Sequence, residues 1–405
     1  MKYIIKYILG LFFFPLKYII PKNNTIIISS NSSKVYAGNA KYLFEYLSEK
    51  NNLNVVWHTE SKQIKSYINA KKYKYITLKN PLKLIYTLLR TKIVINDGDA
   101  YVNFFNILDN PFTYKICIFH GCAAKAAIYN VEGIISPEEQ RMRINKFNYV
   151  NFPSNASSKK YAEAFKISKN KVFSAGFPRC DQFFNKDMVE EKYKNKDIAR
   201  SLVNNITNDS KIILYTPTWR PYKYNLPIFD LKNFNQESFD EWLEQNNCYF
   251  FYTIHTARHP DRMLQEFKRI KYINLNNYPL FDVNDFMNEV DILLNDYSAT
   301  STDFALLNRA QLFCMPDYEK YWNYKGVTFI PIDEFNTSYR DILPGSEAYD
   351  YNQLIDYINY IINNYDAYTL KYKSQSLNIL NKFYNIENTK SVDNIYELIN
   401  TIIHK

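Results

Sequence analysis

Residues 291–307 read Asp-Ile-Leu-Leu-Asn-Asp-Tyr-Ser-Ala-Thr-Ser-Thr-Asp-Phe-Ala-Leu-Leu, and the rest of the chain repeats their pattern. The apolar run 291–295, bounded by polar residues, predicts a short buried strand. The next three residues predict a turn, and residues 300–307 predict a helix whose first hydroxyl side chains can cap free N–H groups. Such a helix start can seat an anion, because its N–H groups and the positive end of its dipole point the same way. The alternative is an ordinary strand–helix unit in which the Ser and Thr hydroxyls serve only as caps.

Short apolar runs that fit buried strands alternate with helical patterns in both halves of the chain. Predicted strands cover residues 25–29, 54–58, 76–78, 93–95 and 116–119, then a strand–helix–strand unit within 149–181, then 212–216, 250–254, 271–275, 291–295 and 310–315. This alternation predicts parallel sheets with helices on both faces. Ligands bind such sheets at the carboxyl ends of the strands, so the residues just after each strand are the candidates for a site.

The chain is long enough for two domains, since it has 405 residues of which 46% are hydrophobic. We predict an α/β protein with two doubly wound, Rossmann-like domains that face a cleft. The predicted boundaries are an interfacial membrane anchor at 1–23, a first domain at 24–185, a linker at 186–210, a second domain at 211–385 and a C-terminal helix at 386–405.

Cysteine usage and the absence of cofactor motifs narrow the chemistry. The five cysteines are scattered without a C-x-x-C pair, which argues against a zinc site or a disulfide framework and indicates a reduced, cytoplasmic protein. The chain has neither metal-ligand spacing nor a Walker-type glycine-rich loop. We therefore predict no metal and no resident cofactor.

The net charge of +9 is concentrated near the start of the chain. No acidic residue precedes Glu45, and a second acid-free run, residues 61–96, is rich in lysine. Because these basic residues alternate with Tyr, Ile, Leu and Phe, we predict contact with an anionic membrane surface, where each charge can add on the order of 1 kcal/mol. A solvated basic face and a nucleic-acid surface are the alternatives, and the membrane is preferred to both.

Residues 7–14 form an uncharged aromatic run between Lys6 and Lys17. The run is too short to span a bilayer, which needs about 20 residues. No small-residue cleavage site follows it, so a secretory signal is not predicted. An anchor that lies in the membrane interface fits the pattern better, and it would place the protein peripherally on the cytoplasmic face of the membrane.

Polar residues follow two neighbouring strands of the first predicted domain. His120 and Gly121 come directly after strand 116–119, where a glycine lets a ligand or backbone approach closely. Asn96 and Asp97 follow strand 93–95, so a shared crevice is predicted. The alternative for His120 is a hydrogen-bonded structural residue.

Two further histidines and one arginine take similar positions. His255 stands at the end of strand 250–254, and His259 follows shortly after it. The run Gly176-Phe-Pro-Arg179 predicts a rigid turn that presents Arg179, with a purely structural turn as the alternative.

Four motifs, in this order and spacing, resemble the CDP-glycerol glycerophosphotransferase family, which comprises teichoic-acid primases and polymerases and related capsule polymerases. They are Phe119-His120-Gly121, Gly176-Phe177-Pro178-Arg179-Cys180-Asp181, Tyr215-Thr216-Pro217-Thr218-Trp219-Arg220, and Asp296-Tyr297-Ser298 with Asp303 further on. Residues 316–326 and Pro344-Gly345 continue the resemblance, and residues 30–43 mark its beginning. It covers residues 25–385, and the ordered set is specific although each motif alone is weak.

The resemblance implies a GT-B fold, with a CDP-activated donor held mainly by the second domain and the acceptor approached from the first. His120 resembles the general base of the family, and His255 resembles a histidine that contacts the donor phosphate. Ser298 and the N–H groups after it resemble the pyrophosphate seat. Further donor-binding candidates are Arg179, Asp181, Thr218, Arg220, His259, Asp296, Thr300, Ser301 and Asp303, and the candidates for the acceptor side of the cleft are Asn39, Asn96, Asp97 and Gly121.

The chain departs from the family pattern at several positions. Ala299 stands where a second serine is usual, and Pro221 stands where an aspartate usually follows Trp-Arg. His255 lacks the arginine that the family commonly has two residues earlier, so His259 is an alternative for the phosphate-contacting histidine. These changes leave open whether the polyol is glycerol, ribitol or another.

The implied activity is transfer of a glycerophosphate, or another polyol-phosphate unit, to a membrane-associated glycan or polyol-phosphate acceptor during teichoic-acid-like or capsule polymer synthesis. A histidine that titrates near neutrality suits removal of the acceptor's proton, and a helix start can stabilise the departing CMP. The expected partners are the CDP-polyol donor, a lipid-linked or polymeric acceptor and an anionic membrane, without nucleic acid. The alternatives are a GT-B glycosyltransferase that uses a nucleotide sugar and a non-enzymatic peripheral membrane scaffold.

Overall fold

Two parallel β-sheets, each covered by helices, organise the chain. The computed structural model describes residues 15–30, 33–98, 101, 107–121, 125–127, 136–254, 259–324, 327–329, 331–384 and 390–405. The predicted class, an α/β protein with two doubly wound domains, is confirmed. Strand interiors are apolar on both faces, as in the run Ile26-Ile27-Ile28 with no exposed surface, because helices cover both sides of each sheet.

The first domain contains a seven-stranded parallel sheet. Its strands are β1 (Asn23–Ser29), β2 (Asn54–His58), β3 (Lys74–Ile76), β4 (Thr91–Asn96), β5 (Tyr114–Cys117), β7 (Tyr149–Asn151) and β8 (Val172–Phe173), with β6 (Lys125–Ala127) outside the sheet. The strand order is β3-β2-β1-β4-β5-β7-β8. The helices of this half are Leu16–Ile19, Gly38–Ser48, Lys62–Ala70, Pro81–Arg90, Pro137–Asn145 and Asn155–Phe165, with 3-10 turns at Lys169–Lys171 and Pro178–Phe184.

The second domain contains a six-stranded parallel sheet. Its strands are β9 (Lys211–Tyr215), β10 (Cys248–Tyr252), β11 (Ile270–Tyr272), β12 (Ile292–Asn295), β13 (Ala310–Phe313) and β15 (Gly345–Glu347), with β14 (Val327–Phe329) outside the sheet. The strand order is β11-β10-β9-β12-β13-β15. The helices of this half are Gln236–Gln245, Val283–Met287, Thr300–Phe304, Tyr318–Trp322, Tyr351–Asn363, Tyr365–Lys371 and Lys373–Phe383, with 3-10 turns at Pro227–Asp230, Ala305–Leu307 and Tyr339–Ile342.

The strand order places a switch point in each sheet. The chain winds outward in opposite directions from the adjacent strands β1 and β4 in the first domain, and from β9 and β12 in the second. Loops that leave such neighbours diverge, and they open a crevice at the carboxyl ends of the strands. The loops after these four strands are therefore where the fold favours a ligand.

Three segments join the domains. The predicted linker 186–210 contains the helices Lys186–Asn195 and Asp197–Leu202. Strands β6 and β14, one from each half, pair with each other as an antiparallel ribbon. The C-terminal helix Ser391–Ile403 returns to the first domain, where Ile395, Ile399 and Ile402 complete the core around β1.

The structure also bears on the predicted membrane anchor. Of the anchor segment 1–23, residues 1–14 lie outside the described residues. The short helix Leu16–Ile19 packs Leu16 beside the cluster formed by helix Pro81–Arg90, and Lys17 donates a hydrogen bond to the carbonyl of Asp109 (2.9 Å). Within the described part of the chain, none of the helices combines the length and the apolar character that crossing a membrane requires.

Candidate active site

A cavity of about 320 Å³ lies between the two sheets, at the carboxyl ends of their strands. From the first domain it is lined by Ser30, Val35, Ala37, Gly38, Asp97, His120 and Arg179, and from the second by Thr216, Pro217, Thr253, Ile254, Leu275, Phe281, Asp282, Val283, Asn284, Ser298 and Thr300. The loops after β1, β4, β9 and β12 all contribute, so the cavity joins the switch points of both domains.

His120 follows β5 and exposes its ring to the cavity. Phe119, just before it, has a positive φ of 54°, and its carbonyl accepts a hydrogen bond from Nδ2 of the buried Asn39 (2.8 Å). The Nδ1 atom of His120 lies 3.1 Å from the carbonyl oxygen of Asp97. A carbonyl can only accept, so Nδ1 carries the proton and Nε2 keeps its lone pair in the neutral ring. His120 is therefore oriented to accept a proton at Nε2.

Gly121 brings the His120 loop against the second domain. A Cβ atom at this position would lie 3.2 Å from the Cβ of Ala299, in the turn that follows β12. That spacing is tighter than most side-chain contacts, so glycine here permits the close approach. It keeps the proton acceptor and the predicted anion seat side by side.

The turn after β12 presents two hydroxyl groups to the cavity. The Oγ of Ser298 and the Oγ1 of Thr300 are 3.0 Å apart, and both residues are half-buried. The helix Thr300–Phe304 begins at this point. Ser301 points elsewhere, because its Oγ donates to Oε1 of Gln311 (2.7 Å) in β13. Ser298 and Thr300 therefore face the cavity, whereas Ser301 anchors the helix to the sheet.

Asp296 supports this turn from behind. Its buried carboxylate accepts hydrogen bonds from the backbone N–H of Thr218 (2.9 and 3.1 Å) and from Nη1 of Arg220 (2.6 Å). The guanidinium of Arg220 is fully buried and also binds Asp317 through Nε and Nη2 (2.7 and 2.9 Å). Burial opposes ionisation of Asp317, but Arg220 outweighs it and holds the pKa of that carboxyl below its usual range. The four residues thus hold the loops after β9, β12 and β13 together, and none of Thr218, Arg220 and Asp296 lines the cavity.

Arg179 links the cavity wall to the second domain. Its Nε and Nη2 atoms bind the carboxylate of Asp303, and its Nη1 donates to the carbonyl of His120 (2.8 Å). Asp303 is buried and also accepts hydrogen bonds from Nδ2 of Asn284 (3.2 Å) and from the hydroxyl of Tyr384. Arg179 therefore reaches the cavity while its charge is matched by Asp303, and Asp303 lies beneath the site rather than in it.

A second ionic contact joins the two domains next to the cavity. Lys41 of helix Gly38–Ser48 binds Asp285 and lies 3.6 Å from Asp282, and the backbone N–H of Gly38 donates to Asp282 (3.0 Å). Burial raises the pKa of Asp282, with Lys41 opposing the shift. Gly38 has a positive φ of 67°, which glycine adopts without strain.

Several predicted site residues have other partners. Asp181 is placed away from the cavity lining, since its two carboxylate oxygens accept hydrogen bonds from the N–H groups of Ser391 and Val392 (3.1 Å each) and cap the last helix. Asn96 holds the backbone of Ser29 and Ser30 through its Nδ2. Both side chains are thus bound to protein groups in this structure, and their predicted roles at the site stay predictions.

The remaining predicted site residues that the structure describes do not line the cavity. Asn39 binds the backbone of Phe119 and of Arg179 and so positions the His120 loop without facing the cavity. His259 is exposed and does not line the cavity, and His255 lies outside the described residues. The role of His255 in contacting the donor phosphate stays a prediction.

Some lining residues were not predicted. Ser30 could have been found, because it directly follows β1 and the same strand-end argument applies to it. The apolar wall of Leu275, Phe281 and Val283 has no comparable signal, because an apolar residue shortly after a strand, such as Leu275 after β11, does not stand out, and the other two precede or begin the short helix Val283–Met287. Across the described residues, no three His, Cys, Asp or Glu side chains cluster so as to hold a metal ion.

Comparisons with known proteins identify the family to which the chain is similar. A family model described as CDP-glycerol:poly(glycerophosphate) glycerophosphotransferase matches residues 12–401. The chain is 25% identical to a teichoic acid glycerol-phosphate transferase of Staphylococcus aureus over 359 residues, covering 84% of this chain and 85% of the relative. It is 26% identical to a teichoic acid glycerol-phosphate primase of Bacillus subtilis over 372 residues, covering 87% of each chain. It is also 27% identical to a teichoic acid poly(glycerol phosphate) polymerase of Bacillus subtilis over 316 residues, covering 74% of this chain but 40% of that longer protein.

The fold is similar to that of solved structures. A structure of the wall teichoic acid polymerase TagF with the H444N substitution, soaked with CDPG, superposes with a TM-score of 0.74 at 20% identity, covering 98% of this chain and 94% of that one. A UDP-GlcNAc 2-epimerase from Neisseria meningitidis superposes with a TM-score of 0.54 at 13% identity, covering 94% of this chain and 100% of that one. At these identities the likeness establishes a shared GT-B-type fold.

Proposed function

This chain belongs to the CDP-glycerol:poly(glycerophosphate) glycerophosphotransferase family, and from this premise we propose how its cleft carries out the transfer. It is a transferase that moves a glycerophosphate unit from CDP-glycerol in teichoic-acid synthesis. We propose that the acceptor is a lipid-linked or polymeric chain with a free hydroxyl group, presented at an anionic membrane surface.

The observation that carries the mechanism is the position of His120 beside the Ser298 turn, with its Nδ1 proton directed at the carbonyl of Asp97. In the proposed step the acceptor hydroxyl oxygen attacks the phosphorus that bears glycerol, and Nε2 of His120 takes the hydroxyl proton. The bond from that phosphorus to CMP breaks, and CMP leaves with the bonding electrons. The hydrogen bond to Asp97 stabilises the imidazolium that forms.

The donor is proposed to lie on the second-domain side of the cavity. The hydroxyls of Ser298 and Thr300 can donate hydrogen bonds to phosphate oxygens, whereas the first N–H groups of helix Thr300–Phe304 bind oxygens of Ser298 and Ala299 within the turn itself. The charge of Asp303 is matched by Arg179, and that of Asp296 is offset in part by Arg220, which also binds Asp317. These two carboxylates therefore oppose a pyrophosphate there less than unpaired ones would. Phosphoryl transfer depends mainly on positioning and charge stabilisation, and this arrangement supplies both.

A surface of the first domain supports the proposed membrane attachment. Leu82 and Tyr86, on helix Pro81–Arg90, are 82% and 63% exposed, and Ile19 on the adjoining helix is 72% exposed. Lys79 and Lys83 beside Leu82 are exposed, whereas the ammonium groups of Lys22 and Lys92 donate to the carbonyls of Leu89 (2.7 Å) and Ile403 (2.8 Å). Exposed apolar side chains next to lysines suit the interface of an anionic membrane, into which the apolar groups insert while the charges meet the headgroups.

A donor screen tests the proposed function. Purified protein is incubated with a glycerol-phosphate oligomer and, in separate reactions, with CDP-glycerol, CDP-ribitol or UDP-sugars, and the released nucleotide is quantified by chromatography. We expect acceptor-dependent release of CMP from CDP-glycerol. Release of nucleotide only from a UDP-sugar would instead support a glycosyltransferase, and preference for CDP-ribitol would change the polyol. The absence of a metal and of a resident cofactor stays a prediction; repeating the reaction with a chelator tests the metal, and the absorption spectrum of the purified protein tests for a bound chromophoric cofactor.

A further inference from the structure

Lys125 crosses from the first half of the chain into the second domain. It lies on β6, shortly after His120 in the sequence, and β6 pairs with β14 so that Lys125 is opposite Phe329. Its backbone carbonyl accepts a hydrogen bond from the hydroxyl of Tyr161 (2.8 Å), which ties the strand to helix Asn155–Phe165. The side chain is buried, and it does not line the cavity.

The ammonium group of Lys125 binds the loop after β9 directly and reaches the turn after β12 through the ring of Tyr297 and through Tyr321, a residue of helix Tyr318–Trp322 that stacks on Tyr297. Its Nζ donates to the hydroxyl of Tyr321 (2.7 Å) and to Oγ1 of Thr218 (3.3 Å). It also lies 5.0 Å from the ring centre of Tyr321 and 5.9 Å from that of Tyr297, and these two rings stack 3.9 Å apart. The charged groups that act on it are Asp296 and Arg220.

These contacts lie directly behind residues that line the cavity. Thr218 follows Thr216 and Pro217, and Tyr297 precedes Ser298, so the ammonium group joins the roots of both loops. The backbone N–H of Thr218 already binds Asp296, which sets one loop against the other. A cation supplied by the segment that carries His120 therefore meets the donor loops at their junction.

We propose that Lys125 is a positioning residue for glycerophosphate transfer, whose ammonium group holds the Thr216–Thr218 loop and the Asp296–Ser298 turn in the arrangement that receives the donor phosphates opposite His120. The inference rests on the proposed function, because it concerns the same cavity and the same reaction. It assigns to the first domain a direct part in shaping the donor site.

The electrostatic setting makes this role dependent on pH. Burial lowers the pKa of Lys125 to about 7, with Asp296 opposing the shift and Arg220 reinforcing it. Above that pH the ammonium group loses its proton, and the neutral amine binds the two hydroxyls less firmly. An arginine at this position keeps its charge throughout the accessible range.

Steady-state kinetics with CDP-glycerol test the proposal on Lys125→Met, Lys125→Arg and the matched control Lys320→Met. Lys320 is exposed on helix Tyr318–Trp322, next to Tyr321 in sequence, and outside the site. We expect Lys125→Met to lower kcat by about 10- to 100-fold, since small displacements of a bound reactant cost that much. Lys125→Arg should recover much of the rate and move the alkaline fall in activity to higher pH, and Lys320→Met should match the wild type.

The outcomes separate this proposal from the function on which it rests. Wild-type turnover with CDP-glycerol, together with a Lys125→Met kcat within twofold of the wild type, overturns the positioning role and leaves the transferase intact. A Lys125→Arg variant whose activity falls at the same alkaline pH as that of the wild type also overturns the positioning role. If Lys125→Met does not fold, Thr218→Val, which removes only the hydroxyl contact, should lower kcat severalfold, and a wild-type rate in that variant overturns the proposal. A wild-type protein that releases no CMP from CDP-glycerol overturns both.

Discussion

Arg179 and Asp303 form a two-point ion pair between the first and second domains, with Nε to Oδ2 at 2.8 Å and Nη2 to Oδ1 at 3.1 Å. Both side chains are only 4% exposed. The same guanidinium donates to the carbonyl of His120. The pair therefore sets the distance between the proton acceptor and the helix that begins at Thr300, in addition to holding the domains together.

Replacing Arg179 with methionine should destabilise the protein strongly. The carboxylate of Asp303 would stay buried without its cation, and loss of one partner of a buried pair typically costs about 3–5 kcal/mol in the free energy of unfolding. Urea denaturation of wild type and Arg179→Met gives this difference. Arg143→Met is the matched control, because Arg143 pairs with Glu139 where both side chains are exposed (41% and 44%) and such pairs contribute about 0–1 kcal/mol. Equal effects of the two substitutions would contradict a dominant role for the buried pair.

His120→Gln should lower kcat by about 10²- to 10⁴-fold, because glutamine can still donate a hydrogen bond but cannot accept the acceptor's proton. The measurement is CMP release with a saturating soluble acceptor, on protein whose circular dichroism matches the wild type. His404→Gln serves as the control, since His404 is exposed at the end of the last helix. If His120→Gln turns over at a rate near that of the wild type, His120 is not the general base.

Ser298→Asp should abolish donor binding, whereas Ser298→Ala should weaken it modestly. The aspartate would place a negative charge against the phosphates, but alanine removes only one hydroxyl and leaves that of Thr300 in place. Titration calorimetry with CMP and CDP-glycerol distinguishes the two variants. Ser238→Asp adds the same charge to an exposed position on the same domain and should bind as the wild type does. Wild-type affinity in Ser298→Asp would remove the donor phosphates from this turn.

The exposed apolar side chains of helix Pro81–Arg90 should contribute to membrane binding. The double substitution Leu82→Glu/Tyr86→Glu replaces inserting groups with charges that anionic lipid repels, so less protein should sediment with anionic vesicles. Leu370→Glu/Tyr360→Glu makes the same change on exposed positions of the second half of the chain and should not reduce binding. High salt should weaken the wild-type interaction because it screens surface charges. Undiminished sedimentation of the first double variant would place the contact elsewhere.

Asp181 should make the protein less stable as the pH rises from about 4 to about 6. Burial raises the pKa of its carboxyl to about 6, against the hydrogen bonds from the N-terminus of the last helix. In the unfolded chain an aspartate titrates near pH 3.9, so between these values the unfolded state releases a proton that the folded state retains. The contribution is fully present below about pH 4 and is lost above about pH 6, and it amounts to at most about 3 kcal/mol. Urea denaturation across this range should show wild type losing stability relative to Asp181→Asn. A constant difference would contradict the raised pKa.

The architecture was readable from the sequence because strands covered on both faces form continuous apolar runs. The predicted strands at 54–58 and 291–295 match β2 and β12 to within one residue. β15 could not be found in this way, since Gly-Ser-Glu has no strand pattern. Glycine is needed at the first position of β15, because a Cβ at Gly345 would lie 2.0 Å from the carbonyl oxygen of Gln311 in β13.

The sequence predicts which loops form the site, but it does not predict which of their side chains face the cavity. Residues after β4, β5 and β12 line the cavity as the strand-end rule predicts, and His120, Asp97 and Ser298 are among them. Whether a polar residue there faces a ligand or binds protein depends on partners far away in the chain. Asp181 and Arg220 matched the family pattern equally well, and both are bound to groups that only the tertiary structure brings near.

The return of helix Ser391–Ile403 to the first domain has a consequence for synthesis on the ribosome. All strands of the second sheet have been translated by Glu347, whereas the core cluster of the first domain, which includes Ile26 and Ile28, still lacks the side chains of Ile395 and Ile399. The domain that emerges first is therefore the one that finishes folding last. A nascent chain that stalls before residue 391 would leave apolar side chains of this incomplete cluster exposed, and such surfaces are what chaperones bind.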